Sequence, residues 1–175
     1  MDVVHMLYSQ VRELDDFLLG NGEVSLKSVA DSNFRKSILL ASASFFEKEV
    51  TDLVLDYTKK ITNNDSRLVS FVHKKGLTRQ YHSLFSWEAK NCNAFYALFG
   101  EEFKAYFSDL VNQDQALEGA VKSFIEVGAE RNRLVHQNFG SYTIEKTSEE
   151  IFGMHTNALR FVQKLREALD LKATE

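Results

Sequence analysis

The chain has 175 residues, 44% of them hydrophobic, with a formal net charge of −4 and one cysteine. A single cysteine excludes an internal disulfide, the acidic balance excludes a general nucleic-acid coat protein, and no apolar stretch is long enough to span a membrane. The length fits one domain, so we expect residues 1–175 to share a single core. The start of the chain lacks the pattern of a signal peptide, which favours a cytoplasmic protein with no membrane partner.

The composition predicts an all-α fold, because the chain has no proline and only 8 glycines. Apolar residues at steps of three and four predict a first helix from Val4 to Leu18, and the turn at residues 20–22 ends it. The same spacing predicts a second, long helix. It begins at Ser32 or Asn33 and ends near Lys60.

The middle of the chain is less regular and rich in aromatic residues. The turn at residues 63–66 is predicted to cap the short helix that follows, which Gly76 closes. Residues 83–99 are predicted to be helical, and Gly100 separates them from another short helix. We expect the aromatic side chains of this region to pack in the core and not to form a base-stacking platform. They include Trp87, Phe95, Tyr96 and Phe99.

Two long helices are predicted near the end of the chain, with one loop between them. The first extends from Gln113 to about His136. Thr147 and Glu150 have the spacing of a capping box, which predicts the start of the last helix. That helix is expected to continue to about Leu171.

Polar side chains interrupt the apolar face of the Gln113–His136 helix near its end. Arg131 falls in an otherwise apolar row, which consists of Leu117, Val121, Phe124, Gly128 and Val135. Asn132 and His136, four residues apart, project from neighbouring turns. A buried arginine needs a partner, so this end of the helix should face a cleft, a partner surface or an internal carboxylate. Two interpretations stay open: an ion pair of Arg131 with a core carboxylate such as Glu47, or a functional site.

The segment RNRLVHQNF, residues 131–139, is similar to the ribonuclease motif of the HEPN superfamily. That motif is an arginine, a polar residue, three further residues and a histidine, and Arg131, Asn132 and His136 match it without a gap. The stretches ASASFFEKEV and TSEEIFGMHTNALRFVQKL resemble the RiboL-PSP-HEPN branch in particular. The resemblance implies a single HEPN domain over residues 1–175, a bundle of long antiparallel helices plus short ones. Arg67 and His73 satisfy a looser form of the motif but lack its polar second residue.

The resemblance also implies an activity, that of a metal-independent endoribonuclease acting as a toxin or in defence against phage. Such proteins are usually homodimers whose two motifs form one composite cleft. There the RNA 2′-hydroxyl attacks the adjacent phosphate and leaves 2′,3′-cyclic phosphate and 5′-hydroxyl ends. In this implied site His136 acts as general acid or base, Arg131 holds the phosphate, and Asn132 orients His136 or a phosphate oxygen.

Residues near the motif are assigned supporting roles. Arg133 contacts RNA or remains a solvated charge, and Glu47, with Ser44 one turn before it, is a candidate partner of Arg131. The implied partners are RNA, a second copy of the chain and an antitoxin or other defence-system protein, with no DNA. The other histidines lack the close spacing typical of a zinc site, which predicts no metal and no cofactor. The alternative function is a non-catalytic HEPN module that binds RNA, a nucleotide or a protein.

Overall fold

The computed structural model describes residues 2–170, which form helices and turns but no strand. Within them the α-helices are α1 Val3–Gly20, α2 Val24–Ile61, α3 Ser66–Phe71, α4 Asn93–Ala97, α5 Glu101–Gln113, α6 Gln115–His136 and α7 Ser148–Ala168. A π-helical turn, Val72–Leu77, continues α3, and a 3-10 turn covers Tyr81–Ser83. The prediction of an all-α fold is therefore confirmed. None of these helices in residues 2–170 combines the length and the hydropathy that crossing a membrane requires.

The centre of the bundle consists of α2, α6 and α7, which pack on one another, while α1 lies against α2 and α7. Phe124 of α6 lies at the middle of the aromatic core of the bundle. The centroid of its ring lies 5.5 Å from that of Phe46 in α2 and 4.9 Å from that of Phe161 in α7. Phe85 belongs to the irregular segment between α3 and α4, residues 72–92, and its ring centroid lies 5.0 Å from that of Phe124. One ring therefore connects three long helices to the irregular segment.

Helix starts follow the capping signals of the sequence. Asp65 accepts backbone hydrogen bonds at the start of α3, as predicted. Asp114 does the same for α6, although no cap is predicted there. Thr147 and Glu150 form both hydrogen bonds of the predicted capping box at the start of α7. Gly100, with a φ of 99°, separates α4 from α5 as predicted. The predictions at Asp65, Thr147 and Gly100 are confirmed because each depends on groups only a few residues apart.

Other predicted boundaries are wrong. The second helix begins at Val24 and not at Ser32 or Asn33, because no helix-breaking residue interrupts the chain once it has turned at Gly22, where φ is 73°. Residues 83–99 are not one helix, since only Asn93–Ala97 is α-helical there. The short helix after residue 66 does not stop at Gly76, which lies inside the π-helical turn. The last helix ends at Ala168, and the predicted end, residue 171, lies outside the described residues.

The aromatic core yields a test of stability. Phe124 is 1% exposed, so Phe124→Ala should lower the free energy of unfolding by about 3–5 kcal/mol through lost contacts and a residual cavity. Phe17→Ala is the matched control, because its ring is 65% exposed and its loss should change stability by less than about 0.5 kcal/mol. Urea denaturation followed by circular dichroism measures both. Equal losses in the two variants would contradict this account of the core.

Candidate active site

A narrow cleft lies where α2, α6 and the irregular segment meet. It is lined by Ala43, Phe46, Glu47, Tyr81, His82, Trp87, Phe124, Val127, Gly128, Arg131 and Asn132. Its accessible volume of about 10 Å³ is room for roughly one water molecule. A larger ligand would therefore contact the rim of the cleft and not its interior.

Arg131 and Asn132 form part of the polar side of this cleft. Both are half-buried, and Nη1 of Arg131 donates a hydrogen bond to Oδ1 of Asn132 at 3.2 Å. The buried face of α6 continues from Val127 to Leu134, whereas Val135 is 45% exposed. The prediction that Val135 lies in the core is wrong, because Leu134, one position earlier, is the buried residue at this end of the helix. Arg131 consequently lies at the boundary between core and solvent.

Glu47 of α2 lines the same cleft as Arg131. Among residues 2–170, however, no carboxylate lies within ion-pair distance of the Arg131 guanidinium. Glu47 is therefore an acidic neighbour of the motif and not its direct ion-pair partner. Ser44 is exposed and does not belong to the lining of the cleft.

Two histidines lie at the motif. His136 is the last residue of α6 and is exposed. His82 belongs to the 3-10 turn and lies close enough for the charges of Arg131 and His136 to affect it. Partial burial lowers the pKa of His82, the positive charges of Arg131 and His136 lower it further, and Glu47 opposes them. The lowered pKa favours a neutral imidazole at pH 7, which can accept a proton.

No spacing in the sequence indicates His82, since it lies far along the chain from the motif. Tertiary packing alone brings the two together. Tyr81, the residue before it, is buried in the cleft wall. Burial raises the pKa of the Tyr81 phenol, and the negative charge of Glu47 raises it further. Tyr81 therefore remains a neutral phenol across the physiological pH range.

Trp87 holds the irregular segment against α6. Its indole Nε1 donates a hydrogen bond to the backbone carbonyl of His82 at 2.9 Å. Its ring lies directly on Gly128, where a Cβ atom would come within 1.9 Å of Trp87 Cζ3. This approach requires glycine at position 128, because any side chain would displace the indole. The contact of Trp87 with Gly128 thereby fixes the position of His82.

Arg133 faces a different part of the surface. Its guanidinium forms an ion pair with Glu130, which is 7% exposed, and the Tyr142 hydroxyl donates to the same carboxylate at 2.5 Å. These residues and Lys146 surround a separate depression. Arg133 is therefore not part of the cleft lining, and Glu130 already compensates its charge. That Arg133 contacts RNA stays a prediction.

Comparison with known proteins gives one match. The model of the RiboL-PSP-HEPN family matches residues 6–171, which is nearly the whole chain. No curated protein and no solved structure shows significant similarity to the chain. The matched range includes α6, the irregular segment and every residue that lines the cleft.

The packing of Trp87 on Gly128 can be tested directly. Gly128→Ala should displace the indole, shift the tryptophan fluorescence toward the red and lower the free energy of unfolding by about 1–3 kcal/mol through overpacking. Trp87 is the single tryptophan, so the signal reports this contact alone.

Gly119→Ala is the matched control, because Gly119 lies in the same helix and a Cβ atom added there would have nothing within 4 Å. It should leave the fluorescence unchanged and stabilise the helix by about 0.5–1 kcal/mol. An unchanged emission spectrum in Gly128→Ala would contradict the close approach.

Proposed function

The chain belongs to the RiboL-PSP-HEPN family, and from this membership we propose that it is a metal-independent endoribonuclease. Membership by itself supports a ribonuclease-like or nucleotide-related module. The observation that carries the finer proposal is that Arg131, Asn132 and His82 line one cleft. His136, exposed at the end of α6 and outside the cleft lining, lies near enough for its charge to affect His82. A fixed cation, an amide and imidazoles are the groups that metal-free phosphoryl transfer requires.

The proposed reaction is an attack of the RNA 2′-oxygen on the adjacent phosphorus. The new bond joins O2′ to phosphorus, the bond from phosphorus to O5′ breaks, and the products are a 2′,3′-cyclic phosphate and a 5′-hydroxyl. Arg131 stabilises the charge that develops on the non-bridging oxygens. The Asn132 carbonyl already accepts from Arg131, so its amide N–H groups are free to orient a phosphate oxygen or His136. His136 accepts the 2′ proton or donates the proton that O5′ requires.

A single imidazole cannot be base and acid in the same step, so a second one is needed. We propose a homodimer in which the partner copy's motif completes a composite cleft. Val135 and Phe139 support this arrangement, since they are 45% and 49% exposed and lie on either side of His136 in sequence. Covering them with a second copy would remove apolar surface from water. His82 is a second source of an imidazole within each protomer.

The biological setting that we propose is that of a toxin or of a defence ribonuclease directed against phage RNA. In such a setting an antitoxin or another defence-system protein would control the enzyme. The localisation that fits this proposal is the cytoplasm.

Cleavage is tested with a mixed RNA substrate and excess EDTA, followed by analysis of the product ends. We expect cyclic phosphate ends from the wild-type protein and a rate roughly 10²- to 10⁴-fold lower for His136→Ala, which lacks the acid–base group. His73→Ala is the matched control, because His73 is exposed like His136 but lies outside the Arg131–His136 motif, in the π-helical turn that continues α3.

If neither the wild-type protein nor the control cuts RNA, or if His136→Ala cuts as fast as they do, the ribonuclease assignment fails. The non-catalytic HEPN module that binds RNA, a nucleotide or a protein then becomes the better description.

The composite cleft is tested by light scattering and by dilution. A composite site predicts a dimer, and the rate per protomer should fall when dilution dissociates it. A monomer with full activity would overturn the composite cleft and leave His82 as the second imidazole. In that case His82→Gln should slow cleavage about as much as His136→Ala.

A further inference from the structure

Asp2, His5 and His155 meet at the start of α1, in a cluster separate from the cleft. Each residue offers one ligand atom, and these atoms lie within 4.8 Å of one another. Oδ2 of Asp2 lies 3.0 Å from Nδ1 of His5 and 3.2 Å from Nε2 of His155. His5 and His155 are 150 residues apart, so their spacing in the sequence gives no sign of this site.

We propose that these three residues bind a transition-metal ion, with Zn²⁺ as the best fit. Two imidazoles and a carboxylate suit zinc and its neighbours, whereas Mg²⁺ and Ca²⁺ prefer oxygen ligands alone. Ligands of a tetrahedral zinc ion, at bond lengths of about 2.0–2.1 Å, lie about 3.3 Å from one another. The two measured separations from Asp2 are close to that value. Small shifts of the side chains would admit the ion.

The surroundings hold the ligands in place. Oδ1 of Asp2 accepts the backbone N–H groups of Val4 and His5, at 2.9 and 3.0 Å, which leaves Oδ2 directed at the histidines. On the far side of the His155 ring, Nδ1 lies 2.9 Å from the Ser42 hydroxyl. Metal-binding histidines are commonly held through their other ring nitrogen in this manner. Ser42 thereby orients Nε2 of His155 toward the site.

Access to the site differs among the three side chains. His155 is fully buried, with its ring 5.1 Å from that of Phe46, whereas the His5 side chain is 33% exposed. An ion could therefore enter beside His5, and water could take the fourth position. Bound there, it would join the first turn of α1 to the middle of α7. This role concerns stability and is separate from the cleavage chemistry proposed at Arg131.

Helix capping alone does not explain the cluster. A capping aspartate needs its oxygen for backbone N–H groups, and Oδ1 already serves that purpose. The convergence of both imidazoles on Oδ2 is an additional feature. Without a metal it would be a hydrogen-bonded network, and that is the competing result of the experiment.

The experiment uses untagged protein that has been treated with EDTA and then freed of the chelator. Titration with ZnCl₂ by calorimetry should give one site per chain, and Zn²⁺ should raise the melting temperature. Co²⁺ should replace Zn²⁺ and give the intense visible absorption of a four-coordinate ion. Asp2→Asn keeps a capping side chain but removes the charged ligand, and His5→Ala removes an exposed ligand. Each should weaken binding at least about tenfold.

His73→Ala is the control, because that exposed histidine lies outside the cluster and its loss should leave binding unchanged. A wild-type protein that shows no saturable binding would overturn the proposal. So would binding that survives in Asp2→Asn and His5→Ala, because the ion would then occupy another site.

Discussion

The ring of Phe124 is the contact on which the arrangement of the molecule depends. It touches aromatic side chains of α2, α7 and the irregular segment, so these three parts share one packing surface. Phe124 and Phe46 also line the cleft. Arg131 and Asn132 of the motif therefore lie at the edge of the core itself. Because packed cores deform little, the side chains at the cleft are held by the same contacts that hold the bundle together.

The irregular segment between α3 and α4 contains a π-helical turn and a 3-10 turn but no α-helix, and aromatic contacts hold it in place. Trp87 lies on the bare backbone of α6 at Gly128 and binds the carbonyl of His82. A continuous helix over residues 83–99 would not place the side chains in this way. The irregular path of the backbone places the His82 imidazole near the motif.

The sequence predicts well those features that depend on near neighbours. The caps at Asp65 and Thr147 and the hydrogen bond of Arg131 to Asn132 each involve residues within one helical turn. The catalytic roles assigned to Arg131, Asn132 and His136 stay predictions. Prediction from the sequence fails where contacts between distant segments determine the local structure. Aromatic spacing in residues 83–99 is compatible with a helix, and only contact with α6 overrides that tendency.

Sites assembled from distant parts of the chain also could not be predicted from the sequence. His82 reaches the motif from another segment, and His155 meets Asp2 from the opposite end of the chain. The early start of α2 has a different cause. Glu23, which precedes the helix, makes no side-chain capping hydrogen bond, so no capping signal marks Val24 as the start. The prediction therefore uses the polar pair Ser32 and Asn33, further along the chain.

The motif occupies the last turns of α6, where the unpaired carbonyl groups give the helix end a partial negative charge. A phosphate group is repelled by this end of the helix dipole, whereas most phosphate sites use the opposite, N-terminal end. Under the proposed function, affinity for a phosphate would therefore come from side chains, chiefly from Arg131. The net charge of −4 adds no general attraction. For the proposed ribonuclease, which would have to release each cut strand, loose binding of substrate and product is an advantage, because turnover depends on interactions that strengthen only in the transition state.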